Sequence, residues 1–160
     1  MSMALLAASL VFVVAALVVA FRGPLPAAVT LGASVGMGVG GAVFGLPGAV
    51  MLLGGIVSAS TGPGPHVAWV LILLIFAGGM LLGMAGGATL VAYLAKHREG
   101  LLRGALAAVV CGAVGCAGAW TAIAMSSTAD NGPLWLFAPV VILAASLAGF
   151  TRALPAPRKT

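Results

Sequence analysis

The sequence predicts an all-α polytopic transmembrane bundle of about five spans, with the N-terminus outside and the C-terminus in the cytoplasm. Three observations carry that prediction. Of 160 residues, 62% are hydrophobic and 6% charged, whereas a soluble domain is roughly half apolar and about a quarter charged. The seven basic and two acidic residues lie between or beyond apolar runs of membrane-crossing length rather than inside them. Within several of those runs small residues recur every four positions, the pattern of closely packed membrane helices. The chain reads as a single transmembrane domain over 1–160.

Residues 3–21 carry no charge, come close to the ~20 residues that cross a bilayer, and are closed by Arg22-Gly23-Pro24. A secretory signal is the competing reading, but the basic segment that opens such signals is missing, so this stretch is expected to remain as the first span. The next charge-free stretch, 27–60, is long for one span and short for two plus a turn. Leu46-Pro47-Gly48 interrupts it. Proline lacks an N–H and glycine weakens helix, so a break or kink is expected there, dividing a span at 27–45 from a shorter piece at 49–58. That piece could continue the span, lie at the interface or re-enter the membrane to line a path. After the turn-rich connector 61–66, residues 67–95 form a long third span, expected to tilt or project beyond the bilayer. The remaining spans are 104–125 and 134–151, separated by a short polar loop containing Asp130.

Charge placement supports this count. With five spans and an outward N-terminus, Arg22, the 96–103 loop and the tail with Arg152, Arg158 and Lys159 all lie on the cytoplasmic side, where basic residues concentrate. Were 27–60 to cross twice, Arg22 would face the opposite side from the other six. Trp69, Trp120 and Trp135 then belong to the outer interface and Tyr93 to the inner one, as an aromatic belt requires. The net charge of +5 accordingly reports orientation rather than nucleic-acid binding, and no basic patch with interleaved aromatics is present.

The small-residue rows are Gly32, Gly36 and Gly40 in the second span, Gly79, Gly83 and Gly87 in the third, and Gly104, Ala108 and Gly112 in the fourth. Each offers a flat face to another helix, in the same chain, a second copy or another subunit. If the third-span face meets another subunit, Gly83→Leu should cost the partner and spare the fold. Gly36-Met37-Gly38-Val39-Gly40-Gly41 satisfies the letters of a dinucleotide fingerprint, but that motif must follow a strand and open a helix in water, so these glycines read as packing. Met37, Met51, Met80, Met84 and Met125 could suit a soft metal; without histidine or cysteine at matching spacing they read as gap-fillers. Cys111 and Cys116 lie about 140° apart around a helix and cannot bridge each other within it.

Chemistry is scarce. Ion-coupled transporters and proton relays need ionisable groups at membrane depth, and none falls within these spans. Thr30, Ser34, Thr89, Thr121 and Ser146 supply the intramembrane hydroxyls and are expected to bond back to their own helices. Glu99 and Asp130 face opposite sides, which excludes a carboxylate pair, and no histidine pair could hold a haem. Neither an enzyme nor a bound cofactor or metal is therefore expected. Lys96, Arg98 and Arg103 mark a cytoplasmic loop that anchors orientation and meets anionic lipid headgroups or a docking partner. The expected function is a non-catalytic membrane subunit that scaffolds or completes an oligomeric transport or energy-converting complex. The alternative is a small homo-oligomeric channel for a neutral solute, with the Gly-rich second span and the Pro47 and Gly48 break as its path. Membrane lipid, further copies or other membrane subunits are the expected partners, and the Ala, Gly and Val bias points to a bacterial plasma membrane.

Overall fold

A computed structural model describes residues 2–59, 66–125 and 132–155, and every regular element among them is an α-helix. The order is α1 (Ser2–Phe21), α2 (Ala27–Ala59), α3 (His66–Leu94), α4 (Leu101–Met125) and α5 (Gly132–Ala153). Four of them contain stretches long and apolar enough to cross a membrane, namely Ala4–Phe21, Ala27–Leu46, Leu74–Leu94 and Leu101–Met125, and α5 contributes the shorter apolar segment Phe137–Ala153. In a solvent that cannot satisfy main-chain N–H and C=O groups, helices are the form in which a lone apolar segment satisfies its own.

Of the two outcomes expected at Pro47, the break is not found: α2 runs unbroken from Ala27 to Ala59, so the 49–58 piece continues the same helix, one of the three courses open to it. One missing N–H removes a single hydrogen bond, while unwinding frees several backbone groups, and the second cost is larger wherever water does not reach them. The same holds for Pro139, inside α5, which the sequence reading passed over. At 33 and 29 residues, α2 and α3 are roughly 50 Å and 43 Å long, well beyond the ~30 Å of hydrocarbon.

Two antiparallel hairpins, α2–α3 and α4–α5, make the most extensive contacts; α3 also packs on α4, and α1 lies almost entirely against α5. Phe150, Met37 and Leu147 are the largest fully buried apolar side chains, surrounded by alanines at 33, 88, 92 and 108. A smaller cluster of Val13, Ala16, Val141 and Ala144 fastens α1 to α5.

One end of the bundle gathers the α1–α2 turn, the α3–α4 loop and the end of α5. A methyl on Gly23 would lie 3.2 Å from Thr151 Cβ, and one on Gly100 would lie 2.7 Å from Pro155 Cδ. Arg22, Lys96, Arg98, Arg103 and Arg152 therefore share this end, as the charge distribution predicted; Arg158 and Lys159 lie outside the described residues. At the opposite end Trp120 is half exposed near the close of α4. The side chains of Trp69 and Trp135 lie outside the described residues.

Candidate functional site

The glycine rows of α2 and α3 face each other. A methyl on Gly32 would come within 3.0 Å of Val91 Cγ1, one on Gly36 within 2.6 Å of the Gly87 carbonyl oxygen, and one on Gly79 within 2.7 Å of the Phe44 carbonyl oxygen. Between these, Gly40 and Gly83 meet so closely that a methyl on either would overlap the other's carbonyl. Each step of four residues along α2 is matched by a step of four back along α3, so the rows close like two combs. Without Cβ atoms the backbones reach dispersion contact, the main source of helix adhesion where lipid tails are as apolar as side chains.

The α4 row is spent in the same way, against α5. A methyl on Gly104 would lie 3.1 Å from Phe150 Cε2; one on Gly112 would overlap the Ser146 hydroxyl and lie 2.5 Å from Leu81 Cδ2. Ala108 is buried in the same row. Gly115 and Gly149 extend this interface, the first against Ala145 and the second against Ala107 and Cys111. Both lie in rows of small residues at four-residue spacing, Ala107, Cys111, Gly115 and Ala119 in α4 and Ala145, Gly149 and Ala153 in α5, which the sequence reading passed over because each row holds a single glycine. All three rows thus meet partners inside this chain, and Gly83 has no free face to offer another subunit.

Methionines fill the remaining irregular space. Met37 is fully buried, and Met80 and Met84 are nearly so; Met84 covers Gly41, where a methyl would lie 2.9 Å from its Cγ. Among the described residues no cluster of three or more His, Cys, Asp or Glu could hold a metal ion. The side-chain surroundings of Pro47, Gly48 and Met51 lie outside what the structure describes. Cys111 and Cys116 are free thiols, half-buried.

Hydroxyls mostly bond to their own backbone. Thr30 donates to the Pro26 carbonyl at 3.3 Å, Ser34 to Leu31 at 2.7 Å, Thr89 to Ala85 at 2.6 Å and Thr121 to Ala117 at 2.8 Å. The fifth expected case differs: the Ser146 hydroxyl is buried with no hydrogen-bond partner.

At the basic end the geometry is specific. Lys96 closes α3 with φ of 65°, its N–H donating to the Tyr93 carbonyl at 3.0 Å while that of His97 donates to Ala92 at 2.9 Å. This is a Schellman cap with lysine in the left-handed position that glycine usually fills. Turning there brings Arg98 back over the helix it has left, its guanidinium 4.7 Å from the centre of the Tyr93 ring. Gly100, with φ of 74°, then starts α4 by accepting the Gly104 N–H at 2.9 Å. Lys96, Arg98 and Arg103 are all exposed.

Below this loop a groove of about 600 Å³ opens between α3 and α4, walled by apolar side chains and reaching Tyr93. A second groove, of about 280 Å³, lies at the other end between α1 and α4, over α5. No family model, curated protein or solved structure matches the chain.

Proposed function

We propose that this chain is a non-catalytic integral membrane subunit that scaffolds or completes an oligomeric complex for transport or energy conversion. It crosses a bacterial inner membrane five times, with its basic end in the cytoplasm. The observation that carries this reading is how the interior is used. Four intramembrane hydroxyls are bonded to their own helices, and the helix interfaces are filled by backbone, alanine and methionine. Side chains committed to packing leave the outward faces as the means of action. Those faces are long: Val35, Val39, Val43, Leu46 and Val50 form one exposed apolar ridge along α2.

The channel alternative is weaker on geometry. A path along Gly36 and Gly40 has no room, because their backbones already touch those of Gly87 and Gly83. A channel built from several copies would need another lining.

The test is the mass of the intact particle extracted from its native membrane in mild detergent. A mass requiring other polypeptides supports the subunit reading, and their identities name the complex. A whole multiple of 15.6 kDa that also passes neutral solutes in liposomes overturns it in favour of the channel.

A further inference from the structure

We infer that the groove between α3 and α4 is a binding site for one anionic phospholipid, with an acyl chain along the groove and the headgroup phosphate at the α3–α4 loop and the first turn of α4. Its walls are apolar: Leu82 and Gly86 on α3, Leu102, Leu106 and Val109 on α4. Thr89, which also lines it, has its hydroxyl turned to its own backbone. From Leu82 to Tyr93 the groove runs roughly 16 Å at 1.5 Å per residue, about half of the ~30 Å hydrocarbon core. That is the depth of one leaflet, the reach of an acyl chain. A transmembrane helix of a second copy would need contact through both leaflets.

The mouth supplies the charge complement. Tyr93 lines the groove, and Arg98 lies over its ring, so a cation is held at the point where the apolar walls end. Lys96 and Arg103, both exposed, stand two residues before and five after Arg98 in sequence, and Glu99 is the one carboxylate among them, leaving a net charge of +2 on the four side chains. The floor is open because Gly86 has nothing within 4 Å of where a Cβ would stand. That opening also provides the test: a side chain at Gly86 starts in open space and extends into the groove.

The experiment reconstitutes the purified chain in nanodiscs of equal phosphatidylglycerol and phosphatidylcholine and counts retained lipid by native mass spectrometry. The expected result is one phosphatidylglycerol per chain, retained in preference to phosphatidylcholine. Arg98→Ala is expected to lower that occupancy about five-fold, the equivalent of ~1 kcal/mol for one basic residue near an anionic surface. Gly86→Leu is expected to abolish it. Gly78→Leu, which also enters open space but outside the groove, leaves it unchanged. Equal retention of both lipids, or undiminished phosphatidylglycerol in Gly86→Leu, overturns the site. A change in particle mass by whole chains in Gly86→Leu, with lipid retention untouched, also overturns it and assigns the groove to a second copy. Because the readout needs only the isolated chain, it is independent of whether other subunits exist.

Discussion

Gly36 and Gly87 touch through main-chain atoms, so a side chain on either must push two helices apart. Gly87→Leu is therefore expected to destabilise the protein by at least about 1–3 kcal/mol, as overpacking does elsewhere, read by denaturant unfolding in detergent. Gly78→Leu is the control, since nothing lies within 4 Å of its missing Cβ, and it should stay within about 0.5 kcal/mol. Equal effects would mean that the α2–α3 register is different. Ser146 makes the opposite case. Its buried hydroxyl has no partner, so Ser146→Ala should stabilise the fold by about 1 kcal/mol, because an unsatisfied buried polar group is costly. A loss of that size would reveal that the hydroxyl is bonded. Individual residues in the sequence announced the first effect, through the four-residue spacing of glycine, but could not announce the second. Thr30, Thr89 and Ser146 look alike as letters, and only the neighbours of Ser146 on α3 and α4 make it the exception.

At the scale of elements, the break expected at Pro47 is the reading the structure overturned. In water, Pro47-Gly48 marks an end; within an apolar stretch the helix continues, because a freed carbonyl costs less than an unwound segment. Pro139 shows the same inside α5. Pro139→Ala restores the hydrogen bond to the carbonyl four residues earlier and is expected to stabilise α5 by up to ~3 kcal/mol, measurable as slower amide exchange in its first half. Unchanged exchange would mean that the carbonyl is already satisfied. The other helices were legible from charge-free length alone, to within a few residues at each end. That precision follows from physics: a membrane span must be long and apolar whatever it packs against.

For the molecule as a whole, Arg22, Lys96, Arg98, Arg103 and Arg152 cluster at one end, which the contacts of Gly23 with Thr151 and Gly100 with Pro155 bring about, and the proposed cytoplasmic placement of that end is tested by labelling. In a background with Cys111→Ala and Cys116→Ala, a cysteine introduced as Arg98→Cys should react with an impermeant maleimide only after permeabilisation, and one introduced as Asp130→Cys should react from outside. The reverse pattern would invert the topology and move the lipid groove to the outer leaflet.

Composition and charge spacing by themselves determined that the chain is a helical membrane protein, about where its helices lie and which ends carry the basic residues. Those properties depend only on transfer of segments between water and lipid, which each segment expresses alone. Only the tertiary structure decided that the glycine rows of α2 and α3 are each other's partners, that the α4 row belongs to α5, and that a groove remains between α3 and α4. A small-residue row states that some backbone will approach, but every such row is equally flat. Which one it meets depends on register and on side chains distant in sequence.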